Sequence, residues 1–194
     1  MVNFYLKVKR LFYYLFLYPI YRFRFKKIGL KSSILSPLNI DGYSNISIGN
    51  YVIIGKKSWI ASKPLCENQT PNLIIEDGCV IGNFNHIYAT DEIVIEKNVL
   101  TADKVYISDC SHCFEDISTP ILKQPIKQLS RVRIGEGAWI GENVCIMGAS
   151  VGKGCVIGAN SVVNKDIPDY SVAVGIPARV IRRYDKMTKE WVKV

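Results

Sequence analysis

Aliphatic residues recur every six positions through the middle of the chain, and a glycine or another small residue follows most of them. The segment RIGEGAWIGENVCIMGASVGKGCVIGANSVV, residues 133–163, carries the pattern at Ile134-Gly135, Ile140-Gly141, Val151-Gly152 and Ile157-Gly158. A period of six fits neither an α-helix, which repeats every ~3.6 residues, nor a plain strand, which repeats every two. It predicts a solenoid with three faces, in which each face turns one aliphatic side chain inward.

The same phase returns in three earlier stretches of the chain. Inward positions are expected at Ile48, Ile54 and Ile60, then at Ile75, Ile81 and Ile87, and then at Ile95, Thr101 and Ile107. We therefore predict coils over residues 40–164, with loops near 62–72 and 112–130 where the period breaks. The alternative is a run of buried strands with glycine-rich turns, and the agreement of four hexads in phase favours the solenoid. The glycine after each aliphatic is expected to turn the corner, since positive φ costs little for glycine.

Both ends of the chain depart from this period. Residues 1–28 place large apolar side chains at helical spacing, and Pro19 stops or kinks that helix. The apolar stretch is too short to span a bilayer. We expect an N-terminal amphipathic helix over 1–28, a parallel β-helix over 29–166 with a protruding loop at 109–130, and a tail over 167–194. The tail is expected to form a short helix from Ala178.

The positive charge is concentrated at the N-terminal end. The net charge is +8, and residues 1–31 contain eight Lys or Arg and no acidic residue. No basic stripe crosses the repeats, so nucleic-acid binding is not expected. Aromatic residues interleaved with Lys and Arg suit the surface of an anionic membrane. The alternative, compatible with the first, is a helix that caps the open end of the solenoid or packs on a neighbouring subunit.

The cysteines and histidines do not show the spacing of a metal centre. We expect the six cysteines to be reduced thiols of a cytoplasmic protein that could associate peripherally with the inner face of the membrane. Cys79 and Cys155 occupy equivalent hexad positions and are expected to be small packing residues. Cys110 and Cys113 enclose His112, but His86 is the only other histidine, so no metal site is expected.

The hexads, the ISDCSH stretch and the ending GANSVVNKDIPDYSVAVGIPARVIRR resemble the left-handed β-helix acyltransferases with hexapeptide repeats. The resemblance covers about residues 40–183 and is strongest to galactoside/maltose-type and surface-polysaccharide O-acetyltransferases. It implies an all-β solenoid with left-handed coils, a homotrimer, and acetyl-CoA bound in a groove between neighbouring solenoids. The implied reaction transfers an acetyl group to a sugar hydroxyl of a surface polysaccharide or its precursor, without a metal.

The resemblance also implies the residues at the acceptor side of the site. His112 matches the general base, and a neutral imidazole can take the proton of a sugar hydroxyl as it attacks a thioester. Asn83 and Asn85 match an Asn-Phe-Asn at the acceptor pocket, where Asn83 would hold the sugar or support the transition state. Three acids close in sequence could orient the imidazole: Asp109, Glu115 and Asp116.

The coenzyme contacts are carried over in the same way. Trp139 would wall the groove near the thioester, and Gly141 and Ala159 would line the pantetheine arm. Cations near the nucleotide phosphates are expected because phosphates prefer Arg and Lys donors. The remaining matched contacts are Asn164, Lys165, Arg179 and Arg182, with Arg183 as an additional candidate.

The sequence departs from the family pattern at Cys110, where relatives often have a second histidine, and in the basic N-terminal segment. Three other functions compete with this one. N-acetylation of an amino sugar could use the same site. A γ-class carbonic anhydrase would need three histidine ligands for zinc, and the chain has two histidines. A non-catalytic scaffold is disfavoured by the presence of His112, Asn83 and Lys165.

Overall fold

The computed structural model describes residues 11–66 and 68–194, which coil into a three-sided parallel β-helix. Sheet A contains β1 (Lys27–Ile28), β4 (Ile46–Ile48), β7 (Asn72–Ile75), β10 (Glu92–Ile95) and β15 (Val132–Ile134). Sheet B contains β2 (Ser33–Ile34), β5 (Ile53–Ile54), β8 (Val80–Ile81), β11 (Leu100–Thr101), β16 (Trp139–Ile140), β18 (Val156–Ile157), β20 (Ser171–Gly175), β21 (Ala178–Asp185) and β22 (Glu190–Lys193). Sheet C contains β3 (Asn39–Asp41), β6 (Trp59–Ser62), β9 (His86–Ala89), β12 (Tyr106–Ser108), β17 (Cys145–Met147) and β19 (Val162–Val163).

The core is a stack of the aliphatic residues that the hexads predict to face inward. In sheet B, Ile54 pairs with Ile81, which pairs with Thr101, so equivalent positions of successive coils lie directly above one another. Each predicted inward residue, from Ile48 to Ile157, is at most 1% exposed. Burial of one such side chain contributes about 1.5–3 kcal/mol, so the column of isoleucines is the main source of stability.

The corners differ from the sequence prediction in one respect. Positive φ does not fall on the glycine that follows the inward aliphatic but two residues later, for example at Phe84 (φ 56°), Asn143 and Asn160 (both φ 59°). Gly82 serves a different purpose, because a Cβ at this position would collide with the backbone carbonyl of Ala102 in the next coil. The repeated glycine therefore permits close stacking of coils rather than a left-handed turn.

The N-terminal helix closes one end of the solenoid, as the capping alternative predicts. A π-helical stretch, Tyr13–Leu17, continues into α1, Tyr18–Arg24. The buried Tyr13 hydroxyl accepts a hydrogen bond from the Ile34 amide at 3.1 Å, and the Tyr18 hydroxyl donates to the Gly29 carbonyl at 3.0 Å. Phe4 and Val8, part of the predicted apolar face, lie outside the described residues. Over 11–66 and 68–194, no helix is long and apolar enough to cross a membrane.

The prediction of a short C-terminal helix from Ala178 was wrong. This segment forms β21 and β22, which extend sheet B by two antiparallel strands beyond β20. The physical reason is tertiary pairing: the exposed edge of β20 offers unpaired backbone groups, and the tail satisfies them. Val180, Ile181, Tyr184, Trp191 and Val192 are also types that favour strands.

Candidate active site

An antiparallel hairpin replaces the loop that the sequence predicts at 109–130. Its strands are β13, Cys110–His112, and β14, Ile126–Gln128, paired in the register His112 to Ile126. A short 3₁₀ turn, Ile121–Lys123, lies between them. The insertion does not interrupt the solenoid, since β12 and β17, which precede and follow it, pair directly with each other. His112 lies on the exposed side of this hairpin, outside the coil.

The root of the hairpin is fixed by Asp109. Its side chain is 0% exposed and accepts hydrogen bonds from the Thr90 amide (2.7 Å), the Thr90 hydroxyl (2.9 Å) and the Asp91 amide (2.8 Å). From β14, the Gln128 side chain donates to the Asp109 carbonyl at 2.7 Å. Asp109 therefore positions the backbone that carries His112 rather than the imidazole itself.

The two other acids considered as partners of His112 are engaged elsewhere. An ion pair with Lys127 at 2.8 Å lowers the pKa of Glu115 to about 2, and the Phe114 amide contributes in the same direction. The pKa of Asp116 is also lowered to about 2, chiefly by the Ser118 hydroxyl at 2.6 Å. Across the described residues, no carboxylate bonds the imidazole of His112, which is open to solvent. The expected orienting acid is thus not found among these three within one protomer.

The Asn-Phe-Asn segment lies at a different corner of the coil from the hairpin. The Asn83 amide nitrogen donates to Asp103 at 3.1 Å, and its oxygen accepts from the Lys56 amide at 2.9 Å. Asn85 is only 1% exposed and donates to the Ala102 carbonyl at 3.0 Å. These bonds tie neighbouring coils together. Sheet C separates both residues from the hairpin, so one protomer does not bring them beside His112, and their acceptor roles stay predictions.

Most of the expected coenzyme residues share one side of the solenoid. Trp139 is half exposed on the outer face of sheet B. In the antiparallel pair β20–β21, Arg182 lies opposite Val172 and Arg179 opposite Val174, which places both arginines on that same outer face. Gly141 and Ala159 follow β16 and β18 at one corner, stacked in successive coils. Asn164 and Lys165 lie apart from them, at the far end of β19.

An apolar stripe runs along the outer face of sheet B, and the sequence analysis predicted only one of its members, Trp139. Its members pair in register from coil to coil: Ile53, Val80, Leu100, Trp139, Val156 and Val172. Four of them are more than a third exposed. The sequence contains a signal for this stripe, because each of its residues directly precedes an inward residue and must therefore point outward. A contiguous exposed apolar surface of this kind indicates an interaction site.

An aromatic cluster on the outer face of sheet C was also missed. The rings of Trp59 and His86 stack with centroids 4.5 Å apart and planes at 7°, and Tyr106 contacts His86 edge-on at 5.2 Å. Burial lowers the pKa of His86 because the charged form loses water, and its Nε2 is buried without a hydrogen-bond partner. These contacts give His86 a packing role and leave His112 as the accessible imidazole.

The cysteines are free thiols in the structure. Cys79 and Cys155 are buried at equivalent positions, as expected, and burial raises the pKa of Cys79 to about 11. Burial also raises the pKa of Cys110, whose sulfur lies 3.4 Å from the Ser108 hydroxyl. A raised pKa opposes thiolate formation, so these cysteines are not poised as nucleophiles. Among the residues that the structure describes, no group of three or more His, Cys, Asp or Glu could hold a metal ion.

The sequence profile described as "Hexapeptide repeat of succinyl-transferase" matches residues 131–165. A probable acetyltransferase of Mycobacterium tuberculosis is 41% identical over 140 residues, 72% of this chain and 44% of that protein. A putative lipopolysaccharide biosynthesis O-acetyl transferase of Escherichia coli, WbbJ, is 35% identical over 128 residues, 62% of this chain and 65% of that protein. The chain is similar to hexapeptide-repeat acetyltransferases. It spans less than two thirds of the length of these two relatives.

A third relative and a solved structure are similar to this chain over most of their own length. Galactoside O-acetyltransferase of E. coli is 29% identical over 175 residues, 89% of this chain and 84% of that enzyme. The crystal structure of AntD, an N-acyltransferase from Bacillus cereus, superposes with a TM-score of 0.73 at 19% identity, covering 89% of this chain and 90% of that one. The repeat profile and the shared fold confirm the expected fold class, a left-handed parallel β-helix.

Proposed function

We propose that this chain is an acetyl-CoA-dependent O-acetyltransferase that acts on a sugar hydroxyl of a surface polysaccharide or its precursor. The observation that carries the proposal is the exposed His112 imidazole on a hairpin whose root is fixed by the buried Asp109. Two relatives named as O-acetyl transferases support the reaction class, and the name of WbbJ supports a surface glycan as acceptor.

His112 would act as general base. Its neutral imidazole takes the proton of the sugar hydroxyl while the oxygen attacks the thioester carbonyl. The C–S bond then breaks, and the imidazolium returns the proton to the departing thiolate, so that free CoA and the acetyl ester are formed. The negative charge that develops on the thioester oxygen requires hydrogen-bond donors, and Asn83 is the residue we propose for this role. Asn83 would have to exchange part of its corner hydrogen bonds for this contact.

A homotrimer would complete the site. The apolar stripe on sheet B supports it, since this surface carries Trp139 and the two arginines and has no cover within the described protomer. A neighbouring solenoid packed beside the stripe would form a groove along it, and the same assembly could bring Asn83, Asn164 and Lys165 of one protomer towards the hairpin of another.

The Leu100→Glu variant is expected to dissociate into monomers at concentrations where the wild type is trimeric. The reason is that each subunit would place a carboxylate in an apolar contact, where an unpaired charge is costly. Analytical ultracentrifugation measures the outcome. Met187→Glu is the matched control, because Met187 is 92% exposed in the turn between β21 and β22 and away from the stripe. A monomeric wild type, or a trimeric Leu100→Glu variant, would contradict the arrangement.

Removal of both Arg179 and Arg182 is expected to raise KM for acetyl-CoA about tenfold or more with little change in kcat, since phosphate contacts far from the thioester bind substrate and transition state alike. Steady-state kinetics with varied acetyl-CoA test this. Arg183→Ala is the control for lost charge, because Arg183 lies opposite Ser171, on the other face of the strand. Equal KM values for the double variant and the wild type would remove both arginines from the coenzyme site.

The second candidate is N-acylation of an amino sugar, and the fold shared with AntD is compatible with it. A turnover screen with acetyl-CoA, read by release of free thiol, separates the two. The acceptors would be matched pairs of nucleotide sugars and glycan oligosaccharides that differ only in a hydroxyl or an amine at one carbon. Turnover with hydroxyl acceptors alone supports the first proposal, and turnover with the amines alone supports the second. Absence of thiol release with every acceptor contradicts both.

A further inference from the structure

The N-terminal helix has two faces with different surroundings. Tyr13, Tyr18 and Tyr21 face the solenoid, where the first two make the hydrogen bonds that close its end and Tyr21 packs edge-on against Phe25. The opposite side presents large apolar residues that are each more than half exposed: Leu11, Phe12, Leu15, Phe16, Ile20 and Phe23. The helix therefore fulfils its capping role with one face and leaves the other uncovered within the described chain.

The exposed face is a continuous helical stripe rather than scattered residues. Its positions follow helical spacing from Phe12 through Leu15 and Phe16 to Ile20 and Phe23, and the rings of Phe12 and Phe16 lie 4.8 Å apart. Phe23 is 93% exposed. Capping the solenoid requires none of these side chains. A contiguous exposed apolar surface of this kind marks a site of protein–protein or membrane interaction.

The charge beside the stripe selects the partner. Arg22, Arg24, Lys26 and Lys27 follow or flank the stripe, and the first acidic residue of the chain is Asp41. Arg24 lies over the ring of Tyr43 at 4.0 Å, and Lys26 bonds Asn72 at 2.9 Å, so the basic segment is anchored to the first coils. An apolar helical stripe edged by cations and free of acids matches the interface of an anionic bilayer.

We propose that residues 11–31 dock the end of the solenoid on an anionic lipid surface, with the stripe in the acyl–headgroup boundary and the cations among the phosphates. This inference is independent of the reaction proposed above. A second copy of the helix is the other conceivable occupant, and it is disfavoured because residues 11–31 of each copy carry five cations and no acid, and two copies would bring these like charges together.

The test uses the full chain and sedimentation with vesicles of phosphatidylcholine, with or without phosphatidylglycerol, at low and high salt. Wild-type protein is expected to bind the anionic vesicles at least about tenfold more tightly than the neutral ones, and salt should weaken this preference. The Leu15→Gln/Phe16→Gln/Phe23→Gln variant should lose about 100-fold in affinity, since each buried aromatic or leucine contributes strongly to partitioning.

Two control variants separate docking from folding. Tyr13→Phe removes the hydroxyl that accepts from Ile34 and is expected to lower the melting temperature while vesicle binding persists. Met187→Gln removes an apolar residue of similar exposure elsewhere and should change neither quantity. Wild-type affinity in the triple variant, or equal binding to neutral and anionic vesicles, overturns the proposal. So does failure of the wild type to bind vesicles while it forms assemblies larger than those of the triple variant.

Discussion

Replacement of His112 by alanine is expected to lower kcat by about 10²–10⁴-fold, the range that loss of a general base produces. The imidazole is exposed and bonds no carboxylate in the described chain, so its removal should leave the fold unchanged. The affinity for acetyl-CoA should also persist, because none of the coenzyme residues we propose lies on the hairpin. Thiol release under saturating substrates measures kcat, and calorimetric titration with acetyl-CoA measures binding.

The matched histidine control is His86→Phe. A phenyl ring preserves the stack on Trp59 and removes a nitrogen that has no hydrogen-bond partner, so turnover should stay close to that of the wild type. The opposite result, activity lost with His86→Phe and kept with His112→Ala, would transfer the role of base to His86. Full activity in both variants would remove histidine from the mechanism.

Replacement of Asp109 by alanine is expected to lower the free energy of unfolding by about 3–4 kcal/mol, because two backbone amides lose their buried acceptor and the Thr90 hydroxyl keeps only the Gln128 side chain as an acceptor. The three bonds of 2.7–2.9 Å, and the full burial of the side chain, make this carboxylate the main polar anchor of the hairpin root. Urea denaturation at fixed protein concentration measures the change, since association would otherwise add to the apparent stability.

Asp103→Ala is the matched control, because it removes a carboxylate that also accepts a hydrogen bond from the backbone. Asp103 also accepts from a main-chain amide, that of Asn83 at 2.7 Å, but at a corner that water can reach. Water can replace the lost acceptor there, so the loss of stability should be clearly smaller. Equal losses in the two variants would show that burial is not what makes Asp109 important.

The solenoid was predictable because its signal is local and repeated. Every coil needs an aliphatic such as Ile81 or Ile140 at the same phase, and one error in phase would expose the whole column. The C-terminal tail was not predictable in this way. Its strands pair with the edge of β20, and that edge exists only after the coils have formed, so helical and extended structures remain comparable in the isolated sequence.

The candidate site also has parts that a local sequence signal predicts and parts that depend on contacts between distant segments. The position of His112 in the interrupting segment could be read from the break in period and from the resemblance. The role of Asp109 could not, because its partners Thr90 and Asp91 belong to the coil below and nothing in the spacing links them. The placement of Arg179 and Arg182 on the outer face of sheet B depended on the pairing of β21 with β20, including its register shift, and the predicted helix excluded that pairing.

The uninterrupted register between β12 and β17 has a consequence for how this protein can change over evolution. Because the hairpin leaves and re-enters the coil at adjacent points, its length and sequence can be exchanged without moving any residue of the isoleucine column. Under the proposed function, a lineage could thus acquire a new acceptor preference by exchanging one external segment, while the scaffold and the proposed coenzyme residues remain under separate selection.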